Sequence, residues 1–251
     1  MKEINIGIQL YSVRDEIKEY GLDTVLEALR DAGCNTVEFA GFYGLTPGEM
    51  KSKLEKYGLR PLSAHIGLVN VIENLPYIDE LGISMVYIPG HPIDKMTGEN
   101  YKSFIEEIKK VKTELDARGV RFGYHNHAKE FEGGMDLLDD MTRDIEGFSA
   151  ELDIYWAVAA GHKPTSLIEK YGKRLTALHI KDMDLRANPK NPGEYPNAVI
   201  GEGQCDAESA FKKAYASGVD TYILEVEYYP CNYKDYIRRS VENINNFYKN
   251  I

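Results

Sequence analysis

The segment SAELDIYW (149–156) sorts its side chains into two faces, with Ala150, Leu152 and Ile154 on one and Glu151 and Asp153 on the other. A period of two is the repeat of a β-strand. The same split recurs along the chain. In LTALHIK (175–181), Leu178 and Ile180 oppose His179 and Lys181, and in YILEVE (222–227), Leu224 and Val226 oppose Glu225 and Glu227. Upstream, Phe122 and Tyr124 oppose His125 and His127, while Ser63 and His65 oppose Leu62, Ala64 and Ile66. Glu38 lies between Val37 and Phe39, and Gln9 and Tyr11 oppose Ile8 and Leu10.

Eight such runs occupy 4–10, 36–40, 61–66, 85–89, 121–127, 149–154, 175–181 and 222–227. Between them lie amphipathic stretches such as 23–32, 47–57, 101–118, 207–217 and 233–248, the last with Tyr236, Ile237, Val241, Ile244 and Tyr248 at helical spacing. Strands that alternate with helices imply parallel pairing through right-handed crossovers, and eight is the number that closes a barrel. The reading is a single (β/α)8 TIM barrel domain spanning 1–251. A doubly wound open sheet competes, but it calls for a Gly-rich turn after the first strand, and Gln9-Leu10-Tyr11-Ser12 is not one.

The bulk properties narrow the class. The chain has 251 residues and a formal charge of −10, which opposes a phosphate backbone and therefore nucleic acid binding. No run of 18 apolar residues suggests a membrane span, and the N-terminal stretch lacks a signal-peptide pattern, so a cytoplasmic protein is expected. Cys34, Cys205 and Cys231 lack metal-type spacing and read as reduced thiols. A homo-oligomer is compatible with the 18 tyrosines.

In a barrel the polar parity is the inward one, and these residues fall at the C-terminal ends of their strands, where barrel chemistry sits. Buried ionisable groups must pair or bind something. Asp153, His179 and Glu225 come from three adjacent strands, and a divalent cation is their natural partner. His65 or His91 taken singly would read as an ordinary core histidine. Lys181 and Asp182 could form an ion pair at the rim, and Trp156 offers an aromatic face suited to a sugar ring.

The segments IGIQLYSVRD (6–15), VEFAGFYG (37–44), FGYHNHAKEFE (122–132), ELDIYW (151–156), LHIKDMD (178–184), GEGQCD (201–206) and YILEVE (222–227) together resemble the sugar phosphate isomerase/epimerase family of xylose isomerase-like TIM barrels. The YHNH form at 124–127 resembles one branch of it. The resemblance implies one divalent ion (Mn, Mg, Zn or Co), with Asp153, His179 and Glu225 as ligands. Where ketose epimerases carry a ligand glutamate on the fifth strand, this chain has His125, with Glu151 as the substitute should His125 not ligate. It also implies a small-molecule sugar or polyol substrate and an enediolate route, with Glu225, His127, Glu151 and Lys181 as candidates for moving protons. Gln9, Tyr11, Glu38, His65 and Trp156 are then the expected substrate contacts.

The altered fifth strand brings in a lyase or dehydratase outcome, such as β-elimination from a keto-sugar or inosose. A DNA-repair endonuclease of the same fold would need more metals and a basic groove; the charge and Trp156, where a further histidine is expected, oppose it. A non-catalytic sugar-binding barrel is the remaining alternative. The GEGQCD turn is at most a weak phosphate site, its glycines serving equally well to shape the approach to a helix near Asp206.

Overall fold

The computed structural model describes residues 2–90, 98–187 and 195–251; His91 lies outside them. Eight parallel strands close into a barrel: β1 (Asn5–Gln9), β2 (Thr36–Phe39), β3 (Arg60–His65), β4 (Met85–Ile88), β5 (Arg121–His125), β6 (Ser149–Asp153), β7 (Leu175–Ile180) and β8 (Thr221–Leu224). Each pairs with its neighbours in sequence, and β1 pairs with β8 to complete the ring. The paired ladders stop earlier than the sequence pattern predicts. His127, Lys181, Glu225 and Glu227 therefore stand on the rim just past the last paired residue.

The helices form as local signals dictate. Helix Pro47–Tyr57 opens with a Thr46–Glu49 capping box and Pro47 in its first turn, and closes at Gly58 with φ +66°. Helix Leu22–Asp31 buries Leu22, Val25, Leu26 and Leu29, and helix Tyr233–Lys249 buries Tyr236, Ile237, Val241 and Ile244. These stripes pack on the outward strand residues, so most of the apolar core lies between barrel and helices. Among the described residues, no helix is long and apolar enough to cross a membrane.

Inside the barrel the apolar content is small. Met85, Tyr87 and Ala177, with Leu62 packed against them, form a cluster separate from the outer core. Leu62 breaks the expected parity. The β2–β3 register steps from Val37↔Pro61 to Glu38↔Ser63, which leaves Leu62 as the extra residue of a bulge. A second bulge, in β7, frees Thr176 to hydrogen-bond the Tyr87 hydroxyl at 2.9 Å.

Gly123 makes room for this layer, since a Cβ there would lie 2.5 Å from the Ser149 carbonyl oxygen and 2.8 Å from Tyr87 Cδ1. Gly123→Ala is expected to destabilise the fold by about 1–3 kcal/mol through overpacking. Gly48→Ala, with nothing within 4 Å, serves as the control and should change stability little or raise it slightly. Chemical denaturation of both variants checks the contrast, and equal midpoints would contradict it.

Candidate metal centre and substrate cavity

Barrel closure gathers the inward residues of six strands into one buried cluster. Glu38, His125, Glu151, Asp153, His179 and Glu225 are all nearly fully buried. His179 is central. Its Nδ1 meets Glu225 Oε2 at 2.5 Å and its Nε2 meets Glu38 Oε1 at 2.6 Å, with Glu151 Oε2 at 3.3 Å. His65 Nε2 bonds Glu151 Oε2 at 2.6 Å and lies 3.2 Å from Glu38 Oε1.

Local structure aims these groups. Asp153 ends β6 and caps helix Ile154–Ala159, its Oδ1 accepting from Trp156 N at 3.0 Å. Asn126 Oδ1 accepts from Asp153 N at 3.0 Å, which ties β5 to β6 at that point. Glu130 clips the chain after β5, accepting from the Tyr124 hydroxyl at 2.9 Å and from His127 N at 2.8 Å. Thus the YHNHAKE run (124–130) supplies two inward imidazoles and three residues that hold them in place. Asn126 and Glu130 were not singled out from sequence, because their partners lie off the two-residue repeat.

The electrostatics describe a site short of positive charge. Burial pushes Asp153 up to about 7, and burial together with the Glu38 carboxylate does the same to Glu151. Burial pushes His125 well down, helped by the His179 and His65 imidazoles, so it is neutral and free to act as a ligand. Burial disfavours a charged His179, yet Glu151, Glu38 and Glu225 together hold it well above the histidine range. Glu38 shows the converse: burial alone would raise it, but His65 and His179 hold it down to about 2.

Three buried atoms of this cluster have no hydrogen-bond partner: His125 Nδ1, Glu151 Oε1 and Asp153 Oδ2. Ligand-type atoms of His125, Asp153, His179 and Glu225 all lie within 4.8 Å of one another, and so do those of His65, His125, Glu151 and His179. Two ligands on one cation, each at about 2.0–2.6 Å, can be no further apart than roughly this. Mixed imidazole and carboxylate donors, orphaned lone pairs and deficient positive charge all fit a divalent ion.

A cavity of about 440 Å³ opens over the cluster, walled by Gln9, Tyr11, His65, His125, His127 and Glu225. Glu227 also lines it, a residue noted in the sequence only for its parity. The other expected contacts lie elsewhere. Glu38 sits beneath the floor, its oxygens taken by Gln9 Nε2 (2.9 Å), Ser63 Oγ (2.6 Å) and His179, so it positions His179 rather than lining the cavity. Trp156 walls a neighbouring cavity. Glu151 and Lys181 are buried behind the walls. The Lys181 ammonium pairs with Glu227 and lies 4.5 Å and 4.9 Å over the Tyr155 and Trp156 rings. Burial would lower it, but Glu225, Asp153 and Glu227 hold it above the usual lysine value.

Asp182 does not pair with Lys181. Its carboxylate accepts backbone N–H groups from Met183 (2.9 Å), Gly201 (3.0 Å), Gly203 (3.0 Å) and Cys205 (2.9 Å). The donors of the GEGQCD turn are thereby consumed by the protein's own anion, which removes this turn as a phosphate site. A Cβ at Gly203 would sit 2.3 Å from Asp182 Oδ1, so glycine is needed for that approach. Asp206 adopts φ +55° and makes no side-chain cap to the following helix.

The chain is 24% identical to inosose dehydratase of Geobacillus kaustophilus (strain HTA426) over 213 residues, covering 71% of this chain and 69% of that protein. It is 22% identical to the rhizopine catabolism protein MocC of Rhizobium meliloti over 251 residues, covering 84% and 77%. Its fold matches the crystal structure of a sugar phosphate isomerase/epimerase from Parabacteroides distasonis ATCC 8503 with TM-score 0.80 at 22% identity, covering 96% of this chain and 97% of that one. Residues 14–247 match the model of the xylose isomerase-like TIM barrel, and the chain belongs to that family.

Proposed function

We propose that this chain is a divalent-metal-dependent enzyme that moves a proton beside a carbonyl of a sugar, keto-sugar or polyol-derived substrate, giving isomerisation or epimerisation. The observation that carries this reading is the convergence of His125, Asp153, His179 and Glu225 from four consecutive barrel strands beneath an open cavity, with buried lone pairs left unused. These four residues would hold the ion. When bound, it would supply a Lewis acid that polarises the carbonyl and stabilises the charge of an enediolate.

The chain's own groups supply the rest. Burial lowers His127, so at neutral pH its imidazole is free to accept a proton from a substrate in the cavity it lines. His65 also faces the cavity and its Nε2 touches Glu151, which holds a proton near pH 7, so the pair can return one to the opposite face. Lys181, charged and out of contact with the cavity, acts through Glu227 by keeping that carboxylate in position. Gln9 and Tyr11 offer polar contacts to hydroxyls on the remaining wall.

A second outcome, loss of a β-hydroxyl from the same enediolate, is favoured by the likeness to inosose dehydratase. In that outcome the base would again be His127, and the β-hydroxyl would leave as water after taking a proton from the His65–Glu151 pair.

Chelation is expected to abolish activity, and Mn or Mg to restore it. Calorimetric titration of the chelated protein with Mn should give one site, weakened at least about 10-fold in Asp153→Asn and in His125→Ala. Binding must displace the proton held by Asp153, near 7, and one held by His179, which its carboxylate neighbours keep charged, so affinity should rise as pH increases through about 7 and fall below it. Stoichiometric binding unchanged in both variants would refute the ligand set.

His127→Gln is expected to lower kcat about 10²–10⁴-fold with metal affinity intact. Incubating the metal-loaded protein with candidate ketoses and inososes in deuterated water distinguishes the outcomes. Deuterium in a rearranged sugar supports isomerisation, an unsaturated ketone supports dehydration, and metal binding with neither exchange nor product across that panel refutes the enolising reading.

A further inference from the structure

Beside the metal-facing cavity lies a second of about 410 Å³, walled by Tyr155, Trp156, Tyr195, Tyr228, Asn197 and Glu227. The two compartments share Glu227 as a wall residue. They also meet across Trp156, whose ring centroid is 5.5 Å from that of His127 on the metal side and 4.9 Å, edge to face, from that of Tyr155 on the other.

This second compartment combines aromatic faces with the Glu227 carboxylate. Trp156 Nε1 and Asn197 Nδ2 are buried with no hydrogen-bond partner. Asn197 is 6% exposed and is fixed by its Oδ1, which accepts from Glu227 N and Tyr228 N at 3.2 Å each. Its side chain is therefore a fixed, buried part of the cavity wall. Tyr228 is 80% exposed, a large ring with little protein contact. Aromatic faces beside a carboxylate suit a pyranose, whose axial C–H face stacks while its hydroxyls donate.

We infer that this compartment is a subsite for a second sugar ring, so that the enzyme takes a two-ring substrate whose reacting unit sits over the metal centre. This rests on the sugar-directed reading of the first cavity and extends it. Glu227, shared by both compartments, then sits at the linkage between the rings.

Trp156 is the single tryptophan of the chain, so its fluorescence reports on this wall directly. The Mg-loaded protein is titrated with cellobiose, maltose and trehalose, and in parallel with glucose. At least one disaccharide is expected to bind about tenfold more tightly than glucose and to shift Trp156 emission. Tyr228→Ala, on an exposed side chain, should remove that gain while leaving glucose and Mg affinity unchanged. Disaccharides no tighter than glucose, or a gain that survives Tyr228→Ala, would overturn the subsite. Loss of metal binding in the titration above would instead refute the first reading while leaving this fluorescence result to stand.

Discussion

The organising interaction is the buried contact of His179 with Glu225 on one ring nitrogen and Glu38 on the other. Glu38 comes from β2, His179 from β7 and Glu225 from just beyond β8, so the contact exists only when β1 joins β8 and the ring closes. It also sets the protonation of the interior. Between three carboxylates His179 stays charged, and that charge with His65 keeps Glu38 ionised, while burial raises Glu151 and Asp153 to about 7. An interior arranged in this way is electrostatically incomplete, and a divalent cation would complete it.

Such an interior contributes little to holding the fold together. Unpaired buried carboxylates oppose folding, and replacing ion clusters with apolar side chains is often neutral or stabilising. The stabilising burial lies elsewhere, in the layer where outward strand residues meet helix stripes such as Leu22–Leu29 and Tyr236–Ile244. The barrel is thus divided by strand parity: one face of each strand supports the fold and the other is left for chemistry.

That division is why the fold was readable from sequence. SAELDIYW and its counterparts alternate because one face meets helices and the other meets the cluster, and the alternation also identified His125, Glu151, Asp153, His179 and Glu225 as inward. Parity says nothing of depth along the barrel axis, however. Glu38 and Gln9 share a parity, yet Glu38 is sealed under the floor while Gln9 lines the cavity. Parity also fails at bulges, which turned Leu62 inward without any signature in the local composition. Asp182 was beyond such reasoning, because its partners are backbone N–H groups of a turn some twenty residues away.

The filled turn at Asp182 bears on how this barrel selects its substrate. Loops at the C-terminal face of such barrels commonly hold a phosphate on backbone N–H groups near a helix N-terminus. Here the loop of that kind carries a carboxylate of the chain itself, hydrogen-bonded by four backbone N–H groups. A substrate phosphate at this turn would have to displace the buried Asp182 carboxylate and strip it of its four backbone N–H partners, a costly exchange. On the proposed reading, substrate recognition would fall to the imidazole, amide, carboxylate and aromatic groups of the cavity wall, which suit hydroxylated rings.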